Sequence, residues 1–78
     1  MSEAPAHVID AVGRRCPLPV IDLAKQISEV PVGSVIELLA DDPAAAADVP
    51  AWCRMRDHEF VGEKARGDAT AYLVRRTH

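Results

Sequence analysis

The chain alternates between segments patterned like strands and segments patterned like helices, and this alternation most constrains its fold. Residues 7–12 are short and rich in β-branched side chains, which favours a first strand. Residues 17–30 place apolar side chains at helical spacing, and both prolines of this segment fall in its first turn, where a missing N–H costs little. Residues 34–40 are almost continuously apolar, which predicts a strand at the centre of a sheet.

The second half of the chain continues this alternation. A helical region begins at residues 41–43, and Asp48 is expected to cap a second stretch that runs to Asp57. Residues 59–64 and 70–75 predict two strands joined by a hairpin turn. The order β-α-β-α-β-β predicts an α+β fold, a two-layer α/β sandwich in which both helices cover one face of a four-stranded mixed sheet.

Length and composition limit the classes of function. The 78 residues predict a single domain over residues 1–78, with residues 1–6 expected to be flexible. No apolar run approaches the roughly 20 residues that span a bilayer, and no signal-peptide pattern is visible, so we predict a cytoplasmic protein. The net charge of −3 gives no general support for nonspecific nucleic-acid binding.

Cys16 is the residue that most suggests chemistry. It follows Gly13, Arg14 and Arg15 and stands at the expected start of the first helix. A helix N-terminus carries partial positive charge, and cationic neighbours add to it, so both favour the thiolate. No acidic residue lies in the first turn. We therefore predict a nucleophilic Cys16 with a lowered thiol pKa; the alternative is a small, half-buried apolar residue that caps the helix poorly.

Other thiol chemistries find less support in the sequence. Cys53 lies beside Trp52 on the expected core face, so it is a poor resolving cysteine. His58 is the one interior candidate for a general base, and no orienting partner can be assigned to it. The cysteines and histidines lack metal-ligand spacing, and no metal or cofactor is predicted. What remains is an exposed thiol that accepts and passes on a group, with sulfur held as a persulfide the favoured cargo.

The residues around Cys16 have structural interpretations as well. Asp10 either hydrogen-bonds the turn at Gly13 and braces the Cys16 loop or lies on the solvent face of the strand. Pro17 and Pro19 are expected to stiffen the loop that presents the sulfur. The pair Asp41 and Asp42 is most simply a helix cap.

The run from Asp10 to Pro19 resembles the signature of the TusA/SirA family of sulfur carriers. In that signature a strand containing Asp is followed by Gly, two further residues and Cys-Pro-x-Pro. The likeness covers nearly the whole chain from Val8. It continues in four later blocks, at residues 40–43, 48–53, 58–59 and 72–76.

The resemblance implies a two-layer α/β sandwich like the C-terminal domain of bacterial translation initiation factor three, which agrees with the order of segments. It implies that Cys16 accepts sulfane sulfur from a cysteine desulfurase or a rhodanese and relays it to a downstream sulfur-accepting protein. Family members serve tRNA thiolation, molybdenum-cofactor metabolism or sulfur oxidation, and one subgroup is linked to selenium. By this resemblance, Arg14 and Arg15 fall in the loop that such carriers present to their partners. Leu18 stands where some tRNA-thiolation members carry a charged residue, which bears on partner choice.

Three hypotheses follow. The leading one is a monomeric sulfurtransferase-type persulfide carrier, rather than a stand-alone turnover enzyme, that meets its protein partners transiently. The second is a non-catalytic interaction or regulatory module of the same fold, in which Cys16 is incidental. The third is nucleic-acid binding, against which the net charge argues. No direct nucleic-acid partner and no membrane partner is expected.

Overall fold

A computed structural model describes residues 4–78. Four strands and two α-helices follow one another in the predicted order. The strands are β1 (His7–Asp10), β2 (Val35–Ala40), β3 (Glu59–Arg66) and β4 (Ala69–Arg75). The helices are α1 (Leu18–Gln26), which a short 3-10 turn (Ile27–Glu29) extends, and α2 (Ala45–Arg56).

The strands form one mixed sheet in the order β1-β2-β4-β3. β1 runs parallel to β2, while β4 is antiparallel to both β2 and β3. The central position predicted for residues 34–40 is confirmed, because β2 has a neighbour on each side. Of the segment expected to be flexible, residues 1–3 lie outside the described residues, and the Ala6 N–H donates to the Val35 carbonyl over 2.8 Å.

Both helices pack on the same face of this sheet. Ile36 and Leu38 are two positions apart on β2. Both are fully buried in a core cluster that also contains Leu23 of α1 and Val49 of α2. Alternate residues of a strand point to the same face, so this face meets the helices while the other is turned away from them. The predicted two-layer α+β sandwich is therefore confirmed.

The second helix differs from its prediction. Asp48 does not cap a separate stretch, because it lies in the first turn of one helix that runs from Ala45 to Arg56. Alanine has the highest helix propensity, so the alanine run joins the helix instead of preceding it. Pro50 is accommodated inside α2, and the helix ends at Asp57, which adopts the left-handed conformation with φ 59°.

Candidate functional site

The Cys16 loop leaves the sheet through a tight turn after β1. The Arg14 N–H donates to the Ala11 carbonyl over 3.1 Å, and Gly13 has φ +85°, a left-handed conformation that favours glycine. The Val12 N–H donates to Asp10 Oδ1 over 3.1 Å. Asp10 therefore combines features of both interpretations: its carboxylate accepts a hydrogen bond from the turn, and the residue is exposed to solvent.

Asp41 and Asp42 tie this loop to the segment that follows β2. The Gly13 N–H donates to Asp41 Oδ1 over 2.9 Å, and the Cys16 N–H donates to Asp42 Oδ2 over 2.6 Å. Asp42 Oδ1 also accepts the Ala44 N–H over 3.0 Å. The interpretation of this pair as helix caps holds in part. Asp42 caps the turn that leads into α2 through the Ala44 N–H, whereas Asp41 bonds Gly13, and Ala44, the N-cap of α2 itself, makes no side-chain hydrogen bond. We name these two hydrogen bonds to Gly13 and Cys16 the carboxylate brace.

The carboxylate brace was not predicted from the sequence, although the position of Asp41 and Asp42 directly after a strand is a signal for it. β1 and β2 are parallel, so their carboxyl ends lie at the same edge of the sheet. Any polar residues directly after β2 are therefore placed beside the loop that follows β1. The two backbone hydrogen bonds, from Cys16 and Ala44, are the main reason that the pKa of Asp42 is lowered, and the positive charge of Arg15 adds to this.

The Cys16 thiol is exposed and donates a hydrogen bond to Asp48 Oδ2 over 2.8 Å. This hydrogen bond raises the pKa of the Cys16 thiol, because the carboxylate stabilises the protonated sulfur. Desolvation and the negative charges of Asp48 and Asp42 act in the same direction. The predicted lowering of the thiol pKa is wrong, because α2 brings a carboxylate from far along the chain to the sulfur.

The N-terminus of α1 also places less positive charge near the sulfur than the sequence suggested. Pro17 occupies the N-cap, so the helix begins only at Leu18, two residues after Cys16. The Leu18 N–H is taken by the Arg15 carbonyl over 2.7 Å, and Pro19 has no N–H to give. Unpaired N–H groups are the source of the positive charge at a helix end, so this end has little left for Cys16.

The two arginines of the loop have carboxylates in their surroundings. Arg14 Nε lies 2.6 Å from Asp22 Oδ2 in an ion pair with the side of α1. Arg15 lies near Asp42, whose pKa it helps to lower. The pKa of the Cys16 thiol is raised although both arginines lie in the same loop, so their charges do not outweigh the nearby carboxylates.

An apolar groove opens beside the thiol, between α1 and α2. Its lining combines side chains from the Cys16 loop and from both helices: Cys16, Pro17, Val20, Ala51, Trp52 and Met55, together with Asp48. Met55 is 75% exposed, a high value for a large apolar side chain. Leu18 is 39% exposed, while Pro19 is buried and anchors the first turn of α1 in the interior.

Cys53 and His58 have the surroundings of structural residues. Cys53 is buried in the core, and burial raises its thiol pKa to about 11, in agreement with its interpretation as an inert core residue. His58 stacks between Trp52 and His78, with ring centroids 5.4 Å and 4.6 Å away. Its Nδ1 accepts the Thr77 N–H over 3.2 Å, so this imidazole has a structural role at the end of the chain.

Neither a metal site nor a membrane-spanning helix is present among the described residues. Within residues 4–78, no group of His, Cys, Asp and Glu side chains is arranged to hold a metal ion. The same residues include no helix long and apolar enough to cross a membrane.

Comparisons with known proteins agree with this architecture. The family model described as "Sulfurtransferase TusA" matches residues 7–76, nearly the whole chain. Among solved structures, the chain is similar to a SirA-like protein from Desulfitobacterium hafniense, with a TM-score of 0.78 and 20% sequence identity. That match covers 92% of this chain and 99% of the other. At this identity the structural likeness shows the shared fold.

Proposed function

The chain belongs to the TusA family, a sulfurtransferase family, and we propose that it is a sulfur carrier whose Cys16 holds sulfane sulfur as a persulfide. The observation that carries this proposal is the Cys16 thiol itself. It is exposed on a loop fixed by the carboxylate brace, and an apolar groove lies directly beside it. A fixed, accessible thiol next to an apolar surface suits a residue that must meet the cysteine of another protein.

The transfer reaction needs no oxidant or reductant. Cys16 Sγ, as the thiolate, attacks the terminal sulfur of a donor's cysteine persulfide. The new Sγ–S bond forms as the donor's S–S bond breaks, and the electron pair leaves with the donor thiolate, which takes up a proton. In the second transfer an acceptor's cysteine thiolate attacks the same terminal sulfur, and Cys16 leaves as a thiolate and is reprotonated. The S–S bond of the loaded carrier places the terminal sulfur about 2 Å beyond Sγ.

The remaining motif residues are proposed to shape and present this loop. Asp10 and Gly13 form the turn that leads to the sulfur, and Pro19 anchors the segment that follows it. Pro17 separates Cys16 from the first turn of α1.

The side chains around the sulfur are proposed to meet partner proteins. Arg14, Arg15 and Leu18 are exposed near it, where they would contact a docked protein. Contacts of this kind act on partner choice rather than on the sulfur chemistry.

The family implies partner proteins that donate and receive sulfur. We propose a cysteine desulfurase or a rhodanese as the donor and a downstream sulfur-accepting protein as the recipient. The pathway would be tRNA thiolation, molybdenum-cofactor metabolism or sulfur oxidation. We further propose that the protein acts in the cytoplasm as a single-domain monomer and that its partners, not the carrier alone, complete a catalytic cycle.

The proposal is tested by following sulfur onto Cys16 with mass spectrometry. The protein is incubated with a cysteine desulfurase and cysteine, alkylated to trap persulfides and digested with trypsin. Cleavage after Arg15, Lys25 and Arg54 separates the peptide of Cys16 from that of Cys53. We expect one added sulfur atom on the Cys16 peptide, removed by reductant.

Cysteine variants supply the matched controls. Cys16→Ser should accept no sulfur, whereas Cys53→Ala should load like the wild-type protein because its thiol is buried. Absence of sulfur on Cys16 with both a desulfurase and a thiosulfate-charged rhodanese would contradict the carrier proposal. It would favour the interaction-module alternative, in which Cys16→Ser leaves the cellular phenotype unchanged.

A further inference from the structure

Asp48 is the acidic residue whose position the carrier chemistry does not explain. Its Oδ2 lies 2.8 Å from Cys16 Sγ, in hydrogen-bond contact with the atom that would carry sulfur. A carboxylate at this position opposes thiolate formation, although sulfur transfer requires the thiolate.

The charges around the sulfur leave Asp48 unmatched. Asp42, the other carboxylate near Cys16, is within the influence of Arg15, whose positive charge helps to lower the pKa of Asp42. Arg14 is paired with Asp22. Within residues 4–78, no lysine or arginine forms an ion pair with Asp48. The thiol proton is therefore the partner of the Asp48 carboxylate in the free protein.

The surroundings of Asp48 indicate what could replace that proton. Asp48 is partly exposed and is the acidic residue in the lining of the groove, among Val20, Trp52 and Met55. A polypeptide segment that fills this groove with apolar side chains would bring its own polar groups up to Asp48. An opposite charge removes both the acceptor and the negative field that keep the thiol protonated.

We propose that Asp48 keeps Cys16 as a guarded thiol in the free protein, and that a cationic side chain of a docked partner pairs with Asp48 and releases the thiolate. This inference rests on the proposed carrier function and adds its regulation: the sulfur becomes more nucleophilic when a partner is bound. The partner surface is thereby specified as an apolar segment with a lysine or arginine beside its own cysteine. Asp48 contacts the reacting sulfur atom, and its carboxylate keeps the thiol protonated by accepting the S–H hydrogen bond and by its negative charge.

Alkylation of the free protein tests the guarding role. The rate at which iodoacetamide, a neutral reagent, labels Cys16 is measured between about pH 6 and pH 10, with the Cys16 peptide resolved by mass spectrometry. Asp48→Asn should react about fivefold faster near neutral pH, the effect of one unit charge a few ångströms away under water-like screening. Its labelling profile should also shift to lower pH.

Two further variants separate charge from structure. Asp68→Asn removes the same charge from the exposed β3–β4 turn and should label like the wild-type protein. Asp48→Glu keeps the charge and should label more slowly than Asp48→Asn. Circular dichroism establishes that each variant is folded. If Asp48→Asn labels at the rate and with the pH profile of Asp68→Asn, the guarding role is overturned.

A pair of charged reagents tests the proposed pairing of Asp48 with a cation. A cationic and an anionic methanethiosulfonate both form a mixed disulfide with the Cys16 thiolate and release methanesulfinate. The ratio of the cationic to the anionic rate should fall severalfold in Asp48→Asn and stay unchanged in Asp68→Asn. An equal ratio in the wild-type protein and in Asp48→Asn would overturn the pairing of Asp48 with a cation.

These reagents need no sulfur donor, so the two proposals can fail separately. If the variants label at the predicted relative rates but the wild-type protein never accepts sulfur on Cys16, the carrier function is refuted and the guarding of the thiol stands. Protein that accepts sulfur on Cys16 while Asp48→Asn labels like the wild type would refute the guarding and leave the carrier function intact.

Discussion

Leu38 provides the sharpest test of the two-layer arrangement, because its neighbour Leu39 lies on the other side of the sheet. Leu38 is fully buried against the helices, whereas Leu39 is only partly buried. Each buried CH2 contributes about 0.8 kcal/mol, and the void left by truncation adds to the cost. Leu38→Ala should therefore lower the free energy of unfolding by about 3 kcal/mol. Leu39→Ala should lower it by about 1 kcal/mol, because less surface is lost and no closed cavity forms.

The loss expected for Leu38→Ala is large compared with the total free energy of unfolding. A chain of this length is expected to have an unfolding free energy of about 4–12 kcal/mol, so Leu38→Ala removes a large part of it. The melting temperature should fall by at least about 12 °C, at the roughly 4–8 °C per kcal/mol typical of domains of this size. Urea titration followed by the fluorescence of Trp52, the single tryptophan, measures both variants. Equal losses for Leu38→Ala and Leu39→Ala would refute the assignment of the helices to one face.

Three further predictions concern single residues. Asp42→Asn should destabilise the protein above about pH 5. Because folding lowers the pKa of Asp42, its carboxylate stabilises the folded state at pH values above the ordinary carboxyl pKa of 3.8. The difference from the wild type should shrink as the pH falls through that lowered pKa; a pH-independent difference in urea titrations would contradict this. Cys53, with a pKa of about 11 and almost no exposure, should resist iodoacetamide until denaturant is added, and labelling of the native protein at the rate of Cys16 would contradict its burial. Gly67→Ala should cost about 1 kcal/mol, because Gly67 has φ +59° in the β3–β4 turn, while Asp68→Ala beside it should cost little. Equal thermal stability of these two turn variants would argue against the left-handed turn.

The fold was predictable because its signals are local. The nearly continuous apolar run of β2 indicated a central strand, and the turn at Gly67 indicated a hairpin. The boundaries inside 41–57 were not predictable in the same way. Asp48 has the residue type of an N-cap, yet the alanines before it prefer helix, and one continuous helix resulted.

The electrostatics of the site depend on tertiary contacts, which explains the error in the thiol pKa. The sequence showed Cys16 beside two arginines and no acid in the first turn of α1. The acidic groups that matter, Asp42 and Asp48, lie 26 and 32 residues further along the chain. Only the parallel pairing of β1 with β2 and the packing of α2 against α1 bring these carboxylates to the sulfur.

The carboxylate brace has a kinetic consequence for a carrier built in this way. Its sulfur stands on a loop held by two hydrogen bonds to the next segment rather than on a long swinging arm, so donor and acceptor must each come to the same spot. The two partners would therefore compete for the carrier and visit it in turn. The rate of sulfur relay would then be limited by how fast the first partner dissociates, because differences in affinity between related complexes lie mostly in their dissociation rates. A partner that bound this surface too tightly would act as an inhibitor of the relay it serves.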